Sequence, residues 1–156
     1  MQPFAFTGRI RAATHADLDR VAVLLDAYRQ FYAKSADLPK AHAFLADRFA
    51  RADSHILLAI QGNGGAVGFA QLFPALCSVA AKPYGVLYDL YVSPEVRRLG
   101  VASALLQAAR DVAETQAWSR LELSTAHSNL AAQSLYESMG WQHDTVFRNY
   151  RLDLAG

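Results

Sequence analysis

Apolar side chains fall at Leu18, Val21, Leu25, Tyr28 and Tyr32, three or four positions apart. That spacing gathers one helix face and predicts a helix from just after Asp17 to about Ala33. Its start is marked by Thr14-His-Ala-Asp17, a capping-box pattern with Asp in place of the usual Glu. A second helix is expected from Leu38–Pro39, where proline suits a first turn, to about Ala50. Ala43, Phe44, Leu45, Ala46 and Phe49 would supply its buried side.

Elsewhere the period changes. The runs RIRAA (9–13), HILLAI (55–60), AVGFAQLF (66–73) and GVLYDLYV (85–92) read as strands. QGNGG (61–65) is a turn, because Asn and Gly tolerate positive φ, so 55–60 and 66–73 make a hairpin. PALCSVAAKPYG (74–85) reads as a looser connection. The near-continuous apolar character of 85–92 predicts burial on both faces. Val101, Ala104, Leu105, Ala108 and Val112 mark a helix over 100–116, and RLELSTA (120–126) a strand. A helix over 129–139, closed by Gly140 as C-terminal cap, and a final strand over 144–154 complete the pattern. The order β-α-α-β-β-β-α-β-α-β describes one mixed α/β domain spanning residues 1–156, with no repeat or linker.

Composition narrows the setting. At 53% apolar residues the chain can bury a substantial core, and its net charge of +1 gives no reason to expect nucleic acid or a membrane surface as partner. A single cysteine, Cys77, excludes an internal disulfide and fits a reducing cytoplasm. The N-terminal MQPFAFTGRIRAATHADLDR lacks the apolar core of a signal peptide, and no apolar stretch approaches the roughly 20 residues of a membrane span. A soluble cytoplasmic protein is the expectation. No His/Asp/Glu cluster has metal-ligand spacing, so no metal is expected.

The chemistry concentrates at SPEVRRLGVASALL (93–106), where a strand runs into a helix through Arg97, Arg98 and Gly100. The first N–H groups of a helix lack internal partners, and the helix dipole adds partial positive charge there. Gly100 and small Ala102 allow a ligand close to the backbone, and the two arginines add full charges. Spacing alone leaves two readings open: a phosphate site, or a solvated Arg-rich turn before an ordinary helix. Neither a P-loop nor a dinucleotide fingerprint is present.

Arg97-Arg98-Leu99-Gly100-Val101-Ala102 matches a signature of the GNAT superfamily of N-acetyltransferases: Gln or Arg, two residues, Gly, one residue, then Gly or Ala. A second stretch, Asn129-Leu-Ala-Ala-Gln-Ser-Leu-Tyr136 followed by Gly140 and Trp141, resembles that family's other signature. The likeness covers nearly the whole chain. YRQFY (28–32), GFAQLFP (68–74) and FRNYRLDL (147–154) further resemble a bacterial subgroup related to yeast histone and polyamine acetyltransferases.

The resemblance implies a GNAT-like domain whose mixed central sheet has splayed central strands, with acetyl-CoA as acetyl donor. By position, the main chain of Leu90, Tyr91 and Val92 would pair with the pantetheine arm, and donors near Val92 would polarise the thioester carbonyl. Arg97, Arg98, Gly100, Val101, Ala102 and Ser103 would hold the pyrophosphate, without indicating which arginine contributes its side chain. Asn129 would bond the pantetheine arm, and Tyr136, on the same helix face, would protonate the departing thiolate. A core tyrosine with a satisfied hydroxyl is the plainer reading of Tyr136.

Asp89, an acid within an apolar strand, is expensive to bury unless paired or functional. It could take the amine's proton, attract a cationic acceptor or satisfy backbone groups, with Glu122 a weaker rival for the base. Tyr28, Phe31, Tyr32, Gln71 and Phe73 could line the acceptor pocket or simply be core. His127 reads as structural or solvated. The implied activity is transfer of an acetyl group from acetyl-CoA directly to a primary amine of a small molecule or polyamine. Its rivals are a peptide N-terminus or lysine as acceptor, and an acyl-CoA-binding module without catalysis. A homodimer is common in such a family, and the final strand could contribute to one.

Overall fold

A computed structural model describes residues 6–155. Its contacts divide the chain after Ser124. The first unit holds strands β1 (Arg9–Ala12), β2 (His55–Ile60), β3 (Ala66–Cys77), β4 (Lys82–Val92) and β5 (Leu121–Glu122), and helices α1 (Leu18–Phe31), α2 (Leu38–Arg51) and α3 (Val101–Thr115). The strands form one mixed sheet in the order β1-β2-β3-β4-β5, antiparallel except for the parallel β4–β5 pair.

The helical stripe forms as its spacing predicts. Leu18, Val21, Leu24 and Leu25 of α1 pack with Ala41 and Leu45 of α2 on Ile56, Leu58 and Ile60 of β2 and on Phe69 and Tyr91. Alternate residues of β2 face the other way, where α3 buries Val101, Leu105, Leu106 and Ala109 against the sheet. Each fully buried Leu or Val contributes about 1.5–3 kcal/mol. Asp17 accepts from the Thr14 N–H at 2.9 Å and takes both Arg11 guanidinium nitrogens at 2.7 and 2.8 Å, so the capping pattern becomes a buried ion pair. On α2 the buried side is Ala41 and Leu45; Ala43 and Phe44 are exposed, since neighbouring helical residues point about 100° apart.

Residues 74–85 are no loose connection: β3 and β4 stay paired out to Cys77 and Lys82. The prolines conceal this in the sequence. Gly85 donates to Arg120 O and the Pro83 carbonyl accepts from Ser119 N, so both turn their main-chain groups away from β3. Pro83 and Pro74, the partner of Gly85, therefore occupy pairs that require no ladder N–H. Gly85 is also required by space, because a Cβ there would lie 2.3 Å from the Trp118 ring.

β4 is less buried than its composition predicts; β2 and β3 are the strands covered on both faces. The reason is topological. Among the described residues β4 meets β5 only at Gly85↔Leu121 and Val86↔Glu122, so beyond Val86 its outer edge has no strand partner there. The splay expected of the central strands is this divergence, and it shortens the expected 120–126 strand to two residues.

In the second unit, α4 (Leu130–Ser138) ends in a Schellman arrangement, with Gly140 at φ 89° and Trp141 N donating to Tyr136 O at 3.0 Å. The final strand expected over 144–154 is not formed. Asp144 Oδ1 accepts from the N–H groups of Val146 and Phe147 and bends the chain there, and the described residues of the unit offer no second strand for a ladder.

Candidate active site

The register of β3 against β4 slips between Gln71↔Asp89 and Leu72↔Leu87, leaving Tyr88 as an extra residue in β4. Such a bulge re-aims its neighbours. Here Gln71 is wholly buried, and its amide bridges two groups: Nε2 donates to Asp89 Oδ2 at 2.8 Å, and Oε1 accepts from Ser54 Oγ at 2.8 Å. Burial pushes the Asp89 carboxyl above the ordinary carboxylate range, while the Gln71 amide partly opposes the shift.

Asp89 opens onto a cleft of about 450 Å³ between the sheet and the helices. Tyr88, Asp89 and Phe73 form the sheet wall, and Leu25 and Arg29 of α1 with Lys40, Ala41 and Phe44 of α2 form the other. Of the expected acceptor residues, Phe73 and Asp89 line this cleft. Gln71 does not; it stands behind the wall because its amide is committed to Asp89 and Ser54. Sequence reading missed Ser54, Arg29 and Lys40. Ser54 carried no signal, whereas Arg29 lies four residues after Leu25, on the stripe of the buried helix face.

Tyr28, Phe31 and Tyr32 form an adjoining aromatic cluster. Tyr28 packs edge-on against Tyr32 at 5.1 Å and Phe69 at 6.0 Å, and lies 5.9 Å from Tyr91. Burial, then the neighbouring Tyr32 hydroxyl and Asp89 carboxylate, raise the Tyr28 phenol well above its usual range, so it stays protonated. The nearby Leu90 N–H only weakly opposes that rise. Phe31 and Tyr32 are substantially exposed.

Beyond Val92 the two arginines divide. Arg97 Nε donates to Val92 O at 3.1 Å, and its guanidinium lies over the Phe31 and Tyr91 rings at 5.7 and 5.9 Å. Arg98 is exposed and takes a left-handed φ of 64°, followed by Gly100 at 86°. This left-handed bend requires glycine at 100 and aims the chain into α3. The first intrahelical bond runs from Ala104 N to Gly100 O, and no side chain caps the helix. The N–H groups of Val101, Ala102 and Ser103 consequently have no intrahelical acceptor. Three outward donors at the positive end of a helix, with Arg98 beside them, suit the pyrophosphate of acetyl-CoA. The edge of β4 through Leu90, Tyr91 and Val92, which has no strand partner among the described residues, suits its amide-bearing arm, with Val92 O already held by Arg97 Nε.

In the second unit, Asn129 caps α4, its Oδ1 accepting from Ala132 N at 3.3 Å. Tyr136 is half-buried, two turns further on, with its ring 6.1 Å from that of Trp141. Glu122 is exposed and bound to Arg120 at 2.6 Å, which leaves Asp89 the carboxylate that faces the cleft.

Residues 19–141 match the model of the acetyltransferase (GNAT) family. An uncharacterized N-acetyltransferase of Bacillus subtilis, YhfO, is 41% identical over 93% of this chain and 97% of its own length. The crystal structure of a probable acetyltransferase superposes with a TM-score of 0.89 at 38% identity, covering 95% of this chain and 99% of that one. A ribosomal-protein-alanine N-acetyltransferase from Brucella melitensis biovar Abortus superposes with a TM-score of 0.77 at 27% identity, over 94% and 99% of the two chains. Sequence signatures, splayed sheet and relatives agree: the chain belongs to the GNAT family and is an acetyl-CoA-dependent N-acetyltransferase.

Proposed function

We propose that this enzyme acetylates the primary amine of a small molecule by direct transfer, with Asp89 as the general base. The observation that carries this reading is the Ser54–Gln71–Asp89 chain, which holds a desolvated carboxylate on the wall of the cleft. Acetyl-CoA supplies an activated acyl thioester. The main chain of β4 from Leu90 to Val92 orients the acyl arm, and the N–H groups of Val101, Ala102 and Ser103 hold the pyrophosphate. Arg98 adds its charge there, while Arg97 keeps Val92 and the aromatic cluster in register. Asn129 bonds the pantetheine arm.

An amine attacks only when neutral, so a proton must leave it. Asp89, raised by burial, is basic enough to accept that proton, directly or through water. The new bond is C–N and the broken one C–S, and Tyr136 returns a proton to the departing sulfur. No covalent intermediate on the protein is needed. Of the acceptors open at the sequence level, a small-molecule amine fits better than a polyamine, whose extra charges would meet Arg29 and Lys40. The similarity to a ribosomal-protein-alanine N-acetyltransferase supports a second reading, a peptide N-terminus as acceptor.

Free-thiol release and mass analysis of the acceptor, across small amines, polyamines and peptides, test the proposal. Acetylated small amines formed in step with coenzyme A support it; acetyl-CoA binding without transfer to any acceptor refutes it, and exclusive transfer to peptides selects the second reading.

A further inference from the structure

We propose that the acceptor carries, besides its amine, an anionic oxygen group joined through an apolar spacer, and that Arg29 and Lys40 bind that group. The inference rests on the acetyl-transfer reading above and specifies its acceptor. Both cations belong to the helical wall of the cleft and Asp89 to the sheet wall, with Leu25, Phe44 and Phe73 lining the space. The Arg29 Nη1 atom is buried and makes no hydrogen bond. Leaving such a donor unpaired costs about 1–3 kcal/mol, and because Arg29 lines the cleft, an anion bound there that draws the guanidinium outward would satisfy it. Neither Arg29 nor Lys40 forms an ion pair among the described residues, while Arg48, Arg51 and Arg110 on the same kind of helical surface all do. The groups that set the charge state of Asp89 are its burial and Gln71, not these two cations, so the acid and the bases do not satisfy each other.

An apolar cleft with an acid on one wall and two cations on the other, none of them in an ion pair among the described residues, complements a zwitterion. The ammonium end of the acceptor is drawn to Asp89 and gives up its proton there. A guanidinium and an ammonium together suit the fork of a carboxylate or a phosphate. The same arrangement works against polyamines, whose second charge would be driven onto Arg29.

Four benzylamines that differ only in their para substituent test this: para-(aminomethyl)phenylacetate, para-(aminomethyl)benzylphosphonate, para-methylbenzylamine and para-bis(aminomethyl)benzene, with the same end groups repeated on a hexyl chain. At least one anionic member should exceed the neutral and dicationic members by about tenfold in kcat/KM, equivalent to about 1.4 kcal/mol. The better of the two anionic arms distinguishes carboxylate from phosphate. Arg29→Gln should reduce that advantage to below about threefold. Lys40→Gln, at an exposed side chain and therefore safe for folding, should reduce it in the same direction. Equal turnover of neutral, dicationic and anionic amines overturns this inference alone, as does an anionic preference that survives both substitutions. No acetylated product from any of them overturns it together with the reading on which it rests.

Discussion

Replacing Gln71 by methionine isolates what the buried amide does for Asp89. Methionine keeps the volume and removes both hydrogen bonds, so Asp89 loses a donor at 2.8 Å while Ser54 can turn to water. A bond to an ionised group contributes about 1.5–3 kcal/mol. Part of it survives when the acid is protonated, and crediting about half to the carboxylate form leaves about 1 kcal/mol. Losing that donor destabilises the carboxylate relative to the acid, so the Asp89 pKa should rise further above its usual value. The sign is fixed: the amide lowers the pKa of a group that burial raises, so removing it adds to the burial effect. Titration of the side-chain carboxyl carbon by NMR, assigned with Asp89→Asn, reads the shift directly. The acid limb of kcat/KM for a weakly basic amine should move to higher pH by the same amount. An unmoved Asp89 titration in a normally folded Q71M protein would refute the relay, and a moved titration with an unmoved acid limb would remove Asp89 from the chemistry.

The remaining expectations concern the donor site, the proton donor and the fold. Arg98→Ala should raise the acetyl-CoA Kd by roughly fivefold, about 1 kcal/mol for an exposed charge, with a weaker salt dependence and kcat retained; an unchanged Kd by calorimetry would exclude the side-chain contact. Tyr136→Phe should lower turnover at a chemistry-limited step by about a hundredfold while acetyl-CoA affinity holds, and wild-type turnover would remove the tyrosine from the mechanism. Arg11 above all holds the Asp17 carboxyl far below its usual range, so its stabilisation is full above the unfolded pKa of about 3.9 and fades as pH falls below that. Urea denaturation should find Asp17→Asn weaker by about 1–3 kcal/mol near neutral pH, with the gap narrowing in acid; a constant gap would contradict the linkage.

The sequence carried the helices and the strands β1 and β2 almost to their ends, because their periodicity expresses burial on a defined face. It underestimated the β3–β4 ribbon, since Pro74 and Pro83 read as breakers until the register shows that neither position requires a donor. It overestimated β4 burial and the length of β5, both of which depend on how two strands diverge and not on either strand alone. Of the candidate site, the α3 entry was legible because glycine with a left-handed φ and a helix start leave a local trace. The relay was not: Ser54, Gln71 and Asp89 meet only through the pairing of β3 with β4 at a bulge. Arg29 and Lys40 come together only because α1 and α2 fold over the same stretch of sheet.

The most direct test of this account is the pre-steady-state rate of acetyl transfer by Asp89→Asn, measured with an accepted amine beside the wild type. Asparagine keeps the shape and the bond to Gln71 but cannot accept a proton. We expect the transfer rate to fall about a hundredfold, with acetyl-CoA affinity and melting temperature unchanged, and to recover in part as rising pH supplies free amine. A transfer rate within about twofold of the wild type across that pH range would contradict the assignment of Asp89 as the base.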